Sequence, residues 1–304
     1  MFLHKDKDLF RDVIAATAKD QKRPAAIVEK DYYVTMVLKL LAQTAHGCVF
    51  KGGTSLSKCY HVIDRFSEDI DITFSDKLTQ GERQKLKNEV IANISKELEM
   101  PISNWNQTKS RRDYNCYNFD YEPIEEAINQ NLHPGVKMEV TLGSIAFPTS
   151  ELLVDSYIYQ FLSKENMDIV DEFGLNPFKM TLQNLERTFA DKVFAICDYY
   201  MDGNIKGHSR HIYDLYMIFP KIIFDENYKA LVKEVRKHRA QMNICPSAQE
   251  GVDISKLLKD IVDKNIYKTD YKEITTYFQN EPLEYDKVIG VLSKVADLGM
   301  FDFL

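Results

Sequence analysis

The sequence predicts an α/β (α+β) fold in which a β-sheet with flanking helices is followed by a C-terminal helical lobe. Short apolar runs and apolar residues that alternate with polar ones, both typical of strands, are concentrated before about residue 150. After that point the pattern becomes mainly helical. This change predicts two domains, at residues 1–170 and 171–304, with the sheet in the first.

Individual elements follow from the same patterns. Helices are expected at about 6–19, 24–43, 79–98, 183–200, 208–219 and 226–240. Strands are expected at about 48–50, 70–74, 102–108, 114–121 and 136–142, as parts of one continuous sheet. The helix after the first strand should begin near Thr54, because Gly52 and Gly53 mark a turn.

Composition excludes several classes of protein. The net charge of −7 and the isoelectric point of about 5.6 argue against general coating of nucleic acid, so any such contact must be local. No apolar run approaches the roughly 18 residues that a membrane span needs, and the start MFLHKDKDLF lacks a basic segment followed by an apolar one. We therefore expect a cytoplasmic protein with no membrane association.

The cysteines predict neither disulfides nor a zinc cluster. There are five of them, an odd number, and none is spaced as CxxC. Reduced core or surface thiols are the expectation.

The clearest motif is KGGTSLSKCYHVIDRFSEDIDITF, at 51–74. Gly52 and Gly53 allow a backbone turn to come close to a phosphate, and the N–H groups at the start of the following helix favour an anion. Thr54 and Ser55 add hydroxyl donors at the same place. The motif therefore predicts a site for nucleotide phosphates.

Asp69 and Asp71 are separated by one residue at the start of a predicted strand. The two-residue period of a strand places both carboxylates on one face. Such carboxylates repel each other unless a cation lies between them, so the pair predicts a magnesium site. Glu139, on a later predicted strand, offers a third ligand. Arg65 and Ser67 lie just before the pair and are candidates for contacts to phosphate.

Two charged residues of the helical half lie beside apolar stripes. Lys192 shares a predicted helical face with Phe189 and Ile196, and Asp214 lies one turn from Ile218. Charges at such positions need partners. Two interpretations stay open: a lysine that contacts phosphates and is held by the aspartate, or a structural salt bridge between two helices.

The order of these motifs resembles the nucleotidyltransferase superfamily that includes the polymerase-beta-like enzymes. Within it, GGTSLSK followed by RFSEDIDI is similar to the AbiEii/AbiGii branch, bacterial toxins of abortive-infection and toxin–antitoxin systems. IVEKDYYVTMVLKLL is similar to the N-terminal helix of that branch, and LERTFADKVFAICDYY followed by RHIYDLYMIF to its later motifs. The sequence departs from the branch in its ADK, where EK is common, and in the position of the arginine before Asp214.

The resemblance implies a nucleotidyltransferase-type mixed sheet and transfer of a nucleotide from an NTP to an acceptor with two Mg²⁺ ions. It implies metal binding and catalysis at Asp69 and Asp71, triphosphate binding at Gly53, Thr54 and Ser55, and essential roles for Lys192 and Asp214. The implied acceptor is RNA, above all the 3′ end of tRNA, and a cognate antitoxin protein is the implied partner. The active site is expected in a cleft between the sheet and the helical lobe.

Two other functions stay open on the sequence. The first is a nucleotidyltransferase that modifies a protein or a small molecule, and the second is a catalytically inactive NTP-binding module. The intact motif residues argue against the inactive module. Basic clusters at 109–112 and 233–239 are candidates for a local RNA surface.

Overall fold

Strands gather in the first part of the chain, as the alternating patterns predict. The computed structural model describes residues 1–124, 134–143, 146–242 and 244–302. Six strands of these residues form one mixed sheet: β1 (Cys48–Lys51), β2 (Ile70–Phe74), β3 (Tyr114–Asp120), β4 (Gly135–Thr141), β5 (Thr149–Val154) and β6 (Phe178–Gln183). Their order across the sheet is β3-β4-β2-β1-β6-β5. The predicted fold class is confirmed.

Helices of the same part of the chain pack with this sheet. They are α1 (Lys7–Gln21), α2 (Ala25–Thr44), α3 (Gly52–Lys58), α4 (Gln80–Lys85), α5 (Ala92–Glu97), α6 (Tyr157–Glu165) and α7 (Met167–Glu172). A π-helical turn, Leu86–Ile91, joins α4 to α5, so the helix predicted at 79–98 is confirmed. Capping explains where two of the helices begin, because the side chains of Asp6 and Thr79 accept from backbone N–H groups of α1 and α4.

The remaining helices form the second part of the chain. They are α8 (Leu185–Met201), α9 (Arg210–Ile218), α10 (Glu226–Arg239), α11 (Ile254–Lys264), α12 (Lys268–Asp270), α13 (Tyr285–Val288) and α14 (Gly290–Asp297). The predicted helices at 183–200, 208–219 and 226–240 are confirmed. Their apolar stripes are buried, with Phe189 on α8 and Leu215 on α9 fully inaccessible to solvent.

The chain divides into two structural units. Unit 1 contains Met1–His61 and Phe66–Leu182, and unit 2 contains Val62–Arg65 and the chain from Gln183 onward. The division after Leu182 lies beyond the boundary expected at 170, because β6 pairs in parallel with β1 and so belongs to the sheet. The short segment Val62–Arg65 belongs to unit 2 although it lies between α3 and β2 in the sequence.

Three local predictions are wrong. The segment 102–108 is no strand: it makes a single bridge at Ile102 and then a 3₁₀ turn, Trp105–Gln107. The segment is held beside β3 by two backbone hydrogen bonds, from Ser103 N–H to the carbonyl of Asn118 and from Asp120 N–H to the carbonyl of Pro101, and by Asn104 Nδ2, which donates to the carbonyl of Cys116. Strands β5 and β6 were not expected, because both lie in the part of the sequence whose pattern is mainly helical. The third error is the start of α3, which lies at Gly52 rather than near Thr54.

No helix in the described part of the chain is long and apolar enough to span a membrane.

Candidate active site

The predicted metal ligands lie on or next to the inner strands β2 and β4, at the end of the sheet where β1 leads into α3, which we call the sheet edge. Asp71 of β2 is in register with Lys51 of the antiparallel β1 and with Glu139 of the parallel β4. Asp69 comes just before β2, and both aspartates are half-buried. Ile70 and Ile72 are fully buried on the opposite face. The alternation predicted from the sequence is confirmed, and adjacent strands about 4.8 Å apart place Asp71 beside Glu139.

Gly52 allows Asp71 to lie where it does. The helix α3 begins at Gly52 rather than near Thr54, because Gly52 itself makes the turn with a φ of +79°, which is unfavourable for other residues. A Cβ at Gly52 would overlap Oδ2 of Asp71 and lie 2.9 Å from its Cγ. The lack of a side chain therefore leaves the space that the Asp71 carboxylate occupies.

The hydroxyl groups predicted to bind phosphate make bonds inside unit 1. Thr54 Oγ1 donates to the carbonyl oxygen of Asp69 and lies 3.0 Å from Ser67 Oγ, while Ser55 Oγ donates to the carbonyl of Gly52 at 2.9 Å. Thr54 and Ser55 are fully buried. No side chain caps the first turn of α3. The donors that this turn offers to a phosphate are therefore its backbone N–H groups.

The thiol of Cys116, on β3 in register with Glu139 of β4, lies close enough to three carboxylates for their charges to affect its pKa. Burial raises the pKa of Cys116, the nearby charge of Lys137 lowers it, and the charges of Glu139, Asp69 and Asp71 raise it further. All three predicted ligands therefore lie within electrostatic reach of one atom.

The donor set suits Mg²⁺, which prefers carboxylate oxygens. Glu139 is engaged elsewhere, because its carboxylate forms an ion pair with Lys137 on the same strand. Among the described residues, no three His, Cys, Asp or Glu side chains are grouped closely enough to hold a metal. Asp69 and Asp71 thus fit a metal by chemistry and position, and Glu139 would join them after parting from Lys137.

A pocket of about 500 Å³ opens beside Asp69 in unit 1. Its lining includes Lys30 and Glu68, which form an ion pair, together with Lys137 and Asn118. Pockets for small ligands commonly have volumes of about 300–1,000 Å³, and the pocket beside Asp69 lies in that range.

Lys192 and Asp214 form an ion pair in unit 2, and Arg65 completes it. Lys192 Nζ lies 2.7 Å from Oδ2 of Asp214, and Arg65 donates to both oxygens of the same carboxylate at 2.7 Å. Asp214 is 0% exposed. Burial alone would raise the pKa of Asp214, but the charges of Arg65 and Lys192 and their hydrogen bonds hold it well below the usual value.

Arg65 was predicted as a phosphate contact, and in the structure its guanidinium binds the carboxylate of Asp214. The bidentate geometry is the strongest that arginine and a carboxylate can make. Both residues belong to motifs that the sequence shows, since Arg65 precedes the aspartate pair and Asp214 lies in a later motif. The spacing of the motifs alone does not predict that the two side chains pair. Burial lowers the pKa of Lys192 in spite of Asp214, and the neighbouring charge of Arg65 lowers it further.

The two basic clusters differ in how many of their side chains bind other residues of the protein. Arg236 donates to the carbonyls of Ala248, Gln249 and Val252, and Arg239 pairs with Asp191 and Asp198. At 109–112 the charged side chains are exposed, next to the start of β3. The cluster at 109–112 therefore remains the better candidate for a local RNA surface.

Comparison with known proteins identifies the family of the chain. The model of the nucleotidyl transferase AbiEii toxin family, of type IV toxin–antitoxin systems, matches residues 38–290. A search of curated proteins gives no match. The matched region includes the glycine turn, both aspartates, Glu139 and the pair of Lys192 with Asp214. The chain therefore belongs to the AbiEii family of nucleotidyl transferase toxins.

Proposed function

We propose that the protein transfers a nucleotide from an NTP to RNA, with the 3′ end of tRNA as the acceptor, in a Mg²⁺-dependent reaction. The observation that carries this proposal is the sheet edge, where the glycine turn at Gly52 directly follows β1, and the neighbouring strands β2 and β4 carry Asp71 and Glu139. Family membership supports nucleotidyl transfer by a toxin. The RNA acceptor and the metal are proposed in addition to what family membership supports.

Asp69 and Asp71 would hold Mg²⁺, and Glu139 would complete the set. When bound, Mg²⁺ would lower the pKa of the attacking hydroxyl and offset charge on the triphosphate. The acceptor oxygen forms a bond to the α-phosphorus, the bond from that phosphorus to the bridging oxygen breaks, and pyrophosphate leaves. The proton of the hydroxyl leaves with solvent or with a carboxylate of the site.

The turn at Gly52 and Gly53 would bind the phosphates through backbone N–H groups. These groups lie at the start of α3, where a helix lacks internal acceptors and attracts anions. Because Thr54 and Ser55 donate to protein acceptors, their hydroxyls would act by fixing the shape of the turn. This assigns the two residues a supporting role in place of the direct contact that the sequence suggested.

Lys192 is proposed to offset the charge of the departing pyrophosphate, with Asp214 orienting it. Its buried pair with Asp214 suits this role, because a lysine held by a carboxylate keeps a defined position. The position of this pair in an active-site cleft stays a prediction.

Expression in bacteria tests the toxin function. Induction of the wild type should slow or stop growth, and induction of Asp69→Asn at a matched level should not. A neighbouring antitoxin gene should relieve the effect. Equal growth of both cultures, with no labelled RNA in the wild-type lysate, would reject an RNA-directed toxin and favour a protein or small-molecule acceptor.

A further inference from the structure

Three consecutive charged residues of α2 lie in the interior of unit 1. Glu29, Lys30 and Asp31, which we call the α2 triplet, are 3%, 3% and 2% exposed. Burying ionised groups is costly unless each has a partner, so a triplet of this kind needs specific contacts. The helix around it is buried on nearly every side, from Ile27 to Leu38.

The members of the triplet point in different directions and contact different segments. Successive residues of an α-helix are turned by about 100°. The carboxylate of Glu29 accepts from the N–H of Ile124 at 3.0 Å, while Lys30 forms an ion pair with Glu68. Asp31 is bound by Lys58 Nζ at 2.5 Å and by the N–H of Tyr157 at 2.9 Å.

Two of these contacts reach the segments that carry the proposed chemistry. Glu68 directly precedes Asp69, and Lys58 is the last residue of α3, the helix that begins with the glycine turn. Lys58 also donates to Thr35 Oγ1 at 2.7 Å and to the carbonyl of Asp155 at 3.2 Å, so its ammonium group is fixed by several acceptors.

A direct contact joins the same two segments to each other. Thr54 of α3 donates to the backbone carbonyl of Asp69. Within unit 1, the helix α3, the segment of Glu68 and Asp69, and the helix α2 therefore each contact the other two. A group of side chains locked in this way can hold a carboxylate in one position, and displacements of about 1 Å can cost a catalyst a hundredfold in rate.

We propose that Lys30 and Asp31 are positioning residues for nucleotidyl transfer: Lys30 fixes the Asp69 segment through Glu68, and Asp31 fixes the phosphate-binding helix α3 through Lys58. The proposal rests on the proposed function. It assigns a role to Lys30 and Asp31 of α2, which affect the site through Glu68 and Lys58.

The test removes each ion pair without leaving a buried charge alone. Lys30→Met with Glu68→Gln is compared with Lys179→Met with Glu151→Gln, an exposed pair of the same unit whose side chains are 71% and 59% accessible. Folding is checked by circular dichroism and thermal melting. Label transfer to RNA is measured against NTP and Mg²⁺ concentration, and Mn²⁺ binding is measured directly by electron paramagnetic resonance.

The variant Lys30→Met with Glu68→Gln should fold, and its rate at saturating NTP should fall about ten- to a hundredfold, with weaker Mn²⁺ binding. Asp31→Asn with Lys58→Met should instead raise the KM for NTP about tenfold and leave Mn²⁺ binding unchanged, because it acts on α3. The control pair should match the wild type in each measurement. Lys30→Arg with Glu68→Asp, which keeps the charges and the summed length, should recover most of the lost rate.

A purely structural role predicts other results. If the folded Lys30 and Asp31 double variants keep the wild-type rate, KM and Mn²⁺ affinity while Asp69→Asn is inactive, the positioning role is wrong. Should the Lys30 double variant not fold, Lys30→Gln with Glu68→Ala carries the same test, since it removes the contact and leaves no buried charge alone. Full activity of Asp69→Asn would instead contradict the proposed function itself.

Discussion

The carboxylates of the two units lie in opposite surroundings. In unit 1, Asp69 and Asp71 are half-buried at a sheet edge, close to a third carboxylate. In unit 2, Asp214 is 0% exposed and is bound by two cations, Arg65 and Lys192. The first group is partly exposed, so that a metal can reach it, whereas the second is buried and its charge is offset by two bound cations.

This difference separates binding from stability. Like charges held near one another destabilise a fold until a cation arrives, so substitution of Asp69 or Asp71 should affect activity far more than folding. Removing one partner of a buried ion pair leaves an uncompensated charge, so substitution at Asp214 should affect folding first. Asp69, Asp71 and Asp214 all lie in sequence motifs, but substitution of the first two should lower activity, whereas substitution of Asp214 should lower stability.

The largest effect is expected for Asp214→Ala. Because both Arg65 and Lys192 lose their shared carboxylate, the free energy of unfolding should fall by about 3–5 kcal/mol. Urea denaturation followed by circular dichroism measures it. Lys259→Ala, which breaks an exposed pair with Asp297, serves as the control and should change stability by about 1 kcal/mol or less. A similar small change for Asp214→Ala would contradict the contrast between the units.

Lys192→Met separates the two roles of the lysine. It leaves the bidentate pair of Arg65 with Asp214 in place, so the protein should stay folded. Transfer activity of the folded protein should still fall at least about a hundredfold if the ammonium group stabilises the leaving pyrophosphate. Normal specific activity in the folded variant would show that the salt bridge is only structural.

The next effect concerns the sheet edge. Asp69→Asn and Asp71→Asn should each lower the transfer rate by about a hundred- to a thousandfold and leave the melting temperature almost unchanged, because they remove charge without changing shape. Mg²⁺ with NTP should raise the melting temperature of the wild type and much less that of the double variant. Near wild-type turnover in either single variant would remove these residues from the site.

Gly52→Ala tests the space that Asp71 occupies. The positive φ and the overlap of a Cβ with the carboxylate should cost about 1–3 kcal/mol of stability and displace Asp71. Gly203→Ala, another glycine with positive φ but with open space around it, is the matched control for backbone strain alone. Equal loss of transfer in the two variants would show that the Asp71 contact has no catalytic consequence.

Local patterns in the sequence predict the sheet edge well, because alternation and glycine turns are short-range features. The bounds of β2 and the neighbouring positions of Asp71 and Glu139 agree with the prediction. Contacts between distant segments have no such pattern. The pairing of Arg65 with Asp214, 149 residues apart, and the contacts of Lys30 and Asp31 depend on how the helices pack.

β6 shows the same limit at the level of an element. Its Met180 and Leu182 alternate as a buried strand requires, but the segment lies among helical patterns and pairs with a strand far earlier in the chain. Long-range pairing of this kind is decided by tertiary packing, which a single sequence does not display.

The smallest effect is expected in the pH dependence of stability. Burial lowers the pKa of His211 well below the ordinary 6.5, and the charges of Lys192 and Arg210 lower it further, against the opposing charge of Asp214. Below pH 6.5 the His211 imidazole therefore binds a proton in the unfolded chain but stays neutral in the folded protein. The free energy of unfolding that this group contributes above pH 6.5 is lost as the pH falls below that value.

His211→Phe measures this term. The wild type should lose up to about 1.4 kcal/mol per pH unit from this one group below its unfolded pKa, and the variant should lose correspondingly less. Denaturation midpoints at pH 7.5, 6 and 5 give the slopes, with about 0.5 kcal/mol as the useful precision. Identical slopes would show that His211 titrates normally in the folded protein. Asp214 adds a loss only in stronger acid, because its pKa is lowered from the ordinary 3.8.

The most direct test of the account is transfer of label from each α-³²P NTP to total RNA by the wild type and by Asp71→Asn, at equal concentrations of folded protein in Mg²⁺. If Asp71 binds the catalytic metal, the wild type should label RNA, chelation of Mg²⁺ should abolish the label, and Asp71→Asn should give at least about a hundredfold less label. Equal labelling by both proteins, or wild-type labelling that survives chelation, would contradict a metal-binding carboxylate site at this sheet edge.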